Sequence, residues 1–300
     1  MTTILLAFLA LAAQAQAPSE VKPPPPPVPY SLPFQLRPAA VATTVRLDTS
    51  AGFWRNGKPT SGHTEVIGLI ASRRLSSRVA LLGRLSFIDN NPPSFSGERK
   101  GSAVSNPLLG ATFLRTRDGG LRQSLFIAAT APIGSGGGLS PSAKTAALSR
   151  AIATRSAMDN ALFATNYFTL IGGAGLARVT RAATVQAEIT VLQLFRVRGP
   201  ETQDSRRTNF TAALHVGRSF RPVFSAGAEL RYQRWLTDAA PVRANRQARE
   251  TVTFAFGPRF HFKLGGGKWI RPGLSLTLPL DEPMSGQRYR IAQFDVPVSF

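Results

Sequence analysis

The segment TVTFAFGPRFHFKL, Thr251–Leu264, alternates along its whole length between apolar and polar side chains. The apolar positions are Val252, Phe254, Phe256, Pro258, Phe260, Phe262 and Leu264. Because successive side chains of a β-strand point to opposite faces, this pattern predicts a strand with one apolar face and one polar, basic face. Strands of soluble proteins usually run about 5–6 residues, whereas a strand tilted across a bilayer needs about 9–11. The segment therefore predicts one strand of a transmembrane β-barrel, with lipid against its apolar face.

The same alternation in other segments assigns charged side chains to the inside of the barrel. In 224–233, Phe224, Leu230 and Tyr232 fall on one parity, and Glu229 and Arg231 fall on the other. An Arg on the lipid face costs about 2–4 kcal/mol near the bilayer midplane, so the charged parity is expected to face the lumen. The side chains predicted to line the lumen are Arg46, Arg84, Glu188, His215, Glu229, Arg231, Arg259, His261, Lys263 and Arg271.

Connections between the predicted strands alternate in length. Twelve strands are predicted, at 41–50, 63–72, 77–88, 104–115, 121–132, 164–177, 182–196, 207–219, 222–235, 250–263, 268–280 and 288–300. Short connections, several with Gly or Pro, alternate with long ones at 51–62, 89–103, 133–163, 197–206, 236–249 and 281–287. Outer-membrane barrels have short periplasmic turns and long extracellular loops. The sequence therefore predicts an all-β, antiparallel up-and-down barrel of about 12 strands, with 10–14 also fitting the pattern.

Aromatic residues near the ends of these predicted strands are candidates for the interfacial girdle of a membrane barrel. They are Phe87, Phe126, Phe195, Phe220, Trp235, Trp269 and Tyr289.

The N-terminal region predicts export through the inner membrane. The apolar run 4–13 is followed by the small-residue sequence AQAQA at 13–17, as in a secretory signal peptide cleaved after Ala15 or Ala17. A proline run at 23–27 follows and favours an extended polyproline II spacer. The predicted division is a signal peptide at 1–17, a Pro-rich periplasmic leader at 18–38 and an outer-membrane barrel at 39–300 of a Gram-negative bacterium.

Composition narrows the range of partners and cofactors. The chain has no cysteine, which excludes disulfides and cysteine-based metal sites. Its formal charge of +20 would suggest nucleic acid in a cytoplasmic protein, but the export signal argues against that partner. The expected partners are outer-membrane lipid, lipopolysaccharide phosphates and small solutes, anionic ones among them.

The C-terminal residues resemble the β-signal of bacterial outer-membrane proteins. The chain stops at Phe300, with Val298, Val296 and Phe294 on the same parity. The resemblance implies that the barrel-assembly machinery reads these four residues. Pro297 departs from the pattern because it removes a ladder donor from a strand expected to close the barrel.

A second resemblance covers an internal stretch. Asn106-Pro107 within SNPLLG and Ala131-Pro132-Ile133-Gly134 at the start of a long loop resemble motifs of the outer-membrane channel family labelled with the phenol-degradation meta-cleavage pathway. In that family Gly-Asp stands where this chain has Asn106-Pro107. The resemblance implies passage of small molecules.

The residues that carry catalysis or bind metals are sparse. The three histidines, His63, His215 and His261, have no metal-ligand spacing and no Ser two residues later on the same strand face. A triad assembled across strands stays open. We predict no catalytic residue, no metal and no cofactor, and interpret these histidines as polar lumen or rim residues.

The long third loop, 133–163, is the expected modifier of a pore. Its Ala-rich part 143–158 predicts a helix that carries Lys144, Arg150 and Arg155. Folded into the mouth, this loop would constrict the lumen, and left outside it would cap the rim. Its basic residues favour anions in either position.

Three functions remain open at this point. The first is a channel for passive diffusion of small solutes through a narrow basic lumen with a mild preference for anions. The second is a closed structural or adhesive barrel whose loops bind partners. The third, which the sparse chemistry disfavours, is an outer-membrane enzyme.

Overall fold

The structure is a computed structural model that describes residues 30–55, 61–139 and 142–300. These residues form one antiparallel sheet that closes on itself, because the first and last strands pair with each other. The strands are β1 Thr44–Trp54, β2 Gly62–Arg74, β3 Val79–Asn91, β4 Gly101–Val104, β5 Leu108–Thr116, β6 Leu121–Thr130, β7 Tyr167–Val179, β8 Ala183–Arg196, β9 Arg206–Arg221, β10 Phe224–Trp235, β11 Glu250–Phe260, β12 Phe262–Lys263, β13 Trp269–Ile270, β14 Gly273–Pro279 and β15 Arg290–Ser299.

Three of these strands are short continuations of longer neighbours. Strands β4 and β5 both pair with β3, β12 follows β11, and β13 and β14 both pair with β15. The wall therefore consists of twelve antiparallel strands, as the alternation predicted. Strand β15 joins β1 from Thr44↔Ser299 to Phe53↔Arg290 without a break, despite Pro297.

The outer surface of the barrel is apolar. In the segment that decides the fold, Phe256 is 43% exposed whereas Thr253 and Arg259 are 0% and 1% exposed. Leu125 and Ile127 on β6 are more than half exposed. Apolar side chains outside and polar side chains inside are the reverse of a soluble protein, and they fit a barrel solvated by lipid.

Five short connections lie at one end of the barrel, together with the start of β1 and the end of β15. This end is called the short-turn end, and the opposite end, with the long connections, is called the loop end. The helices belong to the loop end: α1 Ala143–Thr154, α2 Asn160–Phe163 and α3 Ala240–Ala244. Among the residues described, no helix is long and apolar enough to cross a membrane.

Strand β14 pairs continuously with β15 but only in part with β11. Its ladder with β11 is interrupted between Phe256↔Leu276 and Arg259↔Gly273, where Pro258 has no N–H to donate. At the same place a Cβ on Gly257 would lie 1.9 Å from the carbonyl oxygen of Leu274. The two strands therefore approach closely only because residue 257 has no side chain.

The prediction of an aromatic girdle is wrong for three residues. Phe126, Trp235 and Tyr289 are 7%, 8% and 2% exposed and point into the barrel. The Cζ atom of Arg37 lies 4.0 Å from the ring centroid of Phe126, and the ring of Tyr289 stacks on that of Trp54. These rings pack against material inside the lumen that the local pattern of a strand does not reveal.

Candidate functional site

Inward-facing charges gather in the middle of the lumen, where Glu229 and Arg231 lie two residues apart on one face of β10. Arg231 donates to Glu229 through Nη2 at 2.7 Å and Nε at 2.9 Å. His215 faces Glu229 from β9, with Nδ1 3.5 Å from Oε1. Each of these side chains is at most 1% exposed. A buried carboxylate with two cationic or polar neighbours is stabilised in its charged form.

A second cluster ties together strands on both sides of the closing seam. Asp295 on β15 accepts from Arg259 on β11 at 2.8 and 3.0 Å and lies 3.1 Å from Nε of Arg46 on β1. Arg259 also donates to the carbonyl oxygen of Arg271 at 2.7 Å. A bidentate pair of this kind bridges the short strand β14, whose own ladder is interrupted.

The chain before β1 occupies the lumen. Residues Tyr30–Ala39, named here the lumen segment, loop inward from the short-turn end and return to it. The base of this loop is closed by Tyr30 Oη, which lies 3.1 Å from the backbone nitrogen of Ala39 and donates to Gln186 at 2.7 Å. Burial raises the pKa of Tyr30 to about 12, so its hydroxyl keeps the proton that it donates. The tip of the loop lies at Phe34, which is 1% exposed.

Wall side chains hold this segment mainly by its backbone. The N–H of Phe34 donates to Glu229, and its carbonyl oxygen accepts from Arg46 and, at 2.8 Å, from Gln293. Arg259 donates to the carbonyl oxygen of Leu32 at 3.0 Å.

Further bonds fasten the two limbs of the lumen segment. His215 Nε2 bonds the carbonyl oxygen of Ser31 at 2.9 Å, and Arg122 donates to that of Ala39 at 2.9 Å. Arg37 pairs with Glu188 at 2.6 Å. The predicted periplasmic leader ran from 18 to 38, but its described part, from residue 30, lies inside the barrel. Residues 1–29, including the predicted signal peptide, lie outside the described residues.

The third long loop is also folded into the barrel. Helix α1 begins at a capping box formed by Ser142 and Thr145 and buries Ala147, Leu148 and Ala151. This is the constricting arrangement of the two that the sequence left open. The helix ends at Thr154, earlier than the predicted residue 158, because the chain there turns to direct Arg155 and Asp159 toward the wall.

Two ion pairs, one buried and one partly buried, anchor this loop. Arg155 binds Asp48 of β1 at 2.8 and 2.9 Å, and Arg84 of β3 binds Asp159 at 2.6 and 2.7 Å. Burial alone would raise the pKa of Asp159, but the guanidiniums of Arg84 and Arg155 outweigh it and hold this pKa well below its usual range. The loop is therefore fastened by charges that persist at neutral pH.

The other two candidates of the third loop lie nearer the mouth. Arg150 pairs with Glu98 and lies over the ring of Trp54, 3.8 Å from its centroid. Lys144 is exposed. Lys263 is likewise exposed, at the short-turn end, so it does not line the closed lumen with the other predicted residues.

Side chains in the lumen are too buried for a water-filled passage in this conformation. Residues that line an open channel keep part of their surface in contact with water, yet Thr253, Glu229 and Asp295 are 0% exposed. The lumen segment and the third loop together fill the space between the walls.

One pair resembles part of a hydrolase site. Ser225 Oγ lies 2.8 Å from His261 Nε2. A triad needs a third group that orients the imidazole. His261 Nδ1 is buried and has no hydrogen-bond partner within the described ranges, so the pair lacks this group. No cluster of His, Asp and Glu in the described part of the chain has the arrangement of a metal site.

Several residues of the site escaped prediction, among them Phe34, Arg37, Asp48, Arg122 and Asp159. Asp48 has the inward parity of β1, which was a usable signal. For the lumen segment the signal was an alternation of Tyr30, Leu32, Phe34 and Leu36 directly after the proline run.

Comparisons with known proteins give fold relatives. No protein-family model and no curated protein sequence matches the chain. An outer-membrane channel from Pseudomonas putida F1 is similar in structure, with a TM-score of 0.58 and 14% identity over 94% of this chain and 100% of that one. The NanC porin is similar with a TM-score of 0.51 and 11% identity over 85% of this chain and 98% of that one. These likenesses establish the porin-like barrel fold, and the resemblance to the phenol-degradation family stays a prediction.

Proposed function

We propose that the protein is an outer-membrane channel for passive diffusion of small solutes, closed in this conformation by the lumen segment. The observation that carries the proposal is that the lumen is filled largely by a loop that is not part of the wall. A sealed structural barrel can be filled by wall side chains alone, as in barrels of about 8 strands. This chain instead fills the lumen with the third loop and with residues 30–39, and the latter enter from the short-turn end and bond chiefly through their backbone.

The dimensions of the wall agree with a pore. With strands about 4.8 Å apart and tilted by about 40°, twelve strands enclose a backbone radius of about 12 Å. Side chains from the wall take roughly half of that radius, which leaves room for a narrow passage once the lumen segment has moved out. A narrow pore of this kind suits small solutes.

A mild preference for anions follows from the charges inside the barrel. Among the described residues, seven arginines face five carboxylates there, and six arginines face them once Arg37 leaves with the lumen segment: Arg37, Arg46, Arg84, Arg122, Arg155, Arg231 and Arg259 against Asp48, Asp159, Glu188, Glu229 and Asp295. Most of these charges neutralise each other in ion pairs. Arg122 has no carboxylate partner among the described residues, and it bonds a backbone carbonyl oxygen instead.

Location and assembly belong to the same proposal. In this proposal the apolar outer surface contacts outer-membrane lipid, and the long loops contact lipopolysaccharide. The barrel-assembly machinery reads the C-terminal residues Phe294, Val296, Val298 and Phe300. In this orientation the short-turn end faces the periplasm.

Single-channel recording in planar bilayers tests the proposal. We expect long-lived current steps from a variant that lacks residues 30–39, and rare or brief steps from the full chain. Resistance of the folded barrel to unfolding in cold detergent, read as heat-dependent migration on a gel, verifies that the deletion variant has folded. A folded deletion variant that passes no current would refute a channel that is closed by the lumen segment. Equal permeability to potassium and chloride in a salt gradient would remove the anion preference only.

A closed structural or adhesive barrel is the second candidate, and the burial of Glu229 and Asp295 favours it. An enzyme is less supported, because Ser225 and His261 lack an orienting group. The same recordings separate the first two candidates, since a sealed barrel stays silent after the deletion.

A further inference from the structure

The short-turn end carries a ring of cations that the channel proposal does not use. The basic ring is defined here as the exposed Lys and Arg side chains in or directly beside the five short connections, within 73–78, 115–120, 178–181, 218–221 and 263–268. Each range contributes two or three of them, eleven in all. The same ranges contain a single acidic residue, Asp118. We propose that this ring binds the headgroups of anionic phospholipids in the adjoining leaflet.

The cations of the ring have no partner of opposite charge in the part of the chain that the structure describes. Within 30–55, 61–139 and 142–300, none of the eleven forms an ion pair. The loop end differs, because Arg243 pairs there with Asp204, and Arg249 with Asp238. Like charges this close around one rim repel each other, and an external anion relieves that repulsion.

The height of the ring matches the headgroup region of a bilayer. Arg218 lies 5.7 Å from the ring of Phe220, and Lys268 lies 5.5 Å from that of Phe300. Both phenylalanines are more than half exposed and mark the edge of the apolar surface. A cation next to the last lipid-facing aromatic residue lies at the height of the lipid phosphates. At this height Lys and Arg attract the headgroups of anionic lipids.

Phospholipid fits this position better than a soluble anion or an acidic protein. The cations are distributed over all five connections, so no single concave pocket gathers them around one small ligand. Many separate lipid headgroups surround a barrel at this level, and each can meet the two cations of one connection. Arg in particular binds phosphate through two parallel hydrogen bonds.

The inference rests on the proposed membrane location but not on conduction. It is tested by native mass spectrometry of the full-length protein in detergent, titrated with phosphatidylglycerol or with phosphatidylcholine. We expect phosphatidylglycerol to bind about tenfold more tightly, the scale for one or two cations against an anionic headgroup, and the preference to weaken as salt rises. Equal binding of the two lipids would overturn the inference.

A matched pair of variants locates the site. The ring variant carries Arg117→Gln, Arg178→Gln and Arg218→Gln, and the control carries Arg99→Gln, Arg246→Gln and Arg290→Gln at the loop end. All six arginines are exposed and free of ion pairs in the described structure. Both variants lose the same charge, so only the ring variant should lose the preference for phosphatidylglycerol.

Two outcomes of this comparison contradict the inference: a preference that survives in the ring variant, or one that falls equally in both variants. Current recorded from the same preparations keeps the two proposals apart. If the ring variant loses the lipid preference and conducts as before, both proposals stand. If the ring variant loses the preference and every preparation is silent, the lipid site stands and the channel does not.

Discussion

Replacing Phe34 by alanine should shift the lumen from filled to open. The ring of Phe34 is 1% exposed, and the Cζ atom of Arg259 lies 5.2 Å from its centroid. The backbone of Phe34 keeps its bonds to Glu229, Arg46 and Gln293 in the variant, because these bonds do not involve the side chain. The substitution therefore removes one buried aromatic ring from the tip of the lumen segment and little else.

The size of the effect follows from the burial of this ring. Burying a Phe side chain contributes about 1.5–3 kcal/mol, and a cation–π contact adds about 0.5–2 kcal/mol. Phe34 belongs to none of the buried hydrophobic clusters of the described residues and lies beside the guanidinium of Arg259, so we expect water in the vacated volume and add no empty-cavity cost. A loss of about 2–5 kcal/mol lowers the ratio of filled to open lumen by about 30–4000-fold, since 1.4 kcal/mol is a factor of ten.

The assay is the fraction of time that single channels conduct in a planar bilayer. We expect this fraction to rise from wild type to Phe34→Leu and further to Phe34→Ala. Phe254→Ala is the control, because it removes the same ring from the lipid-facing side of β11, where Phe254 is 36% exposed. An open fraction of folded Phe34→Ala that equals that of wild type and of Phe254→Ala would refute the reasoning.

Three further outcomes are expected. Gly257→Ala should destabilise the barrel by about 1–3 kcal/mol, because its Cβ meets a backbone oxygen at 1.9 Å. Gly172→Ala, where nothing lies within 4 Å, should leave the melting temperature unchanged on the same heat-modifiability gels. Because its pKa is lowered, Asp159 stabilises the docked third loop fully above the usual carboxyl pKa. This stabilisation is lost only as the pH falls through the lowered pKa. Hydrogen exchange of 143–154 should thus stay slow at mildly acidic pH and be fast at every pH in Asp159→Asn. In the channel without the lumen segment, Arg122→Gln should lower the chloride preference measured by reversal potential.

The wall of the barrel was predictable because its two solvents impose a local pattern. Lipid on one side and polar contents on the other force a period of two, which can be recognised from a segment such as Thr251–Leu264. The twelve predicted strands match the twelve of the wall. Their ends differ by a few residues, and β4, Gly101–Val104, lies almost wholly in the stretch predicted as the connection 89–103.

The contents of the lumen were not predictable by the same reasoning. Phe34 bonds Glu229, which lies 195 positions away in the chain, and Arg155 bonds Asp48 over 107 positions. The alternation along a strand predicts that Glu229 and Asp48 face inward, but it does not predict which distant residue binds each of them. The alternation of apolar residues in 30–36 indicated that one face of this stretch is buried against another part of the protein. The preceding prolines pointed instead to an extended spacer.

The lumen segment also determines which charged groups of the lumen are available to a passing ion. In the filled state Arg46 and Arg259 divide their donors between Asp295 and the backbone oxygens of the segment, and Arg122 bonds the segment alone. When the segment leaves, Asp48, Glu229 and Asp295 keep their arginines, whereas Glu188 loses Arg37, which belongs to the segment. The donors of Arg46, Arg122 and Arg259 that faced the segment lose their acceptors. Those donors then meet water or a passing anion, and a fixed N–H group in a narrow pore attracts anions more strongly than cations. Three arginines gain free donors while one carboxylate, Glu188, loses its partner, so the open state should keep a preference for anions even without Arg37.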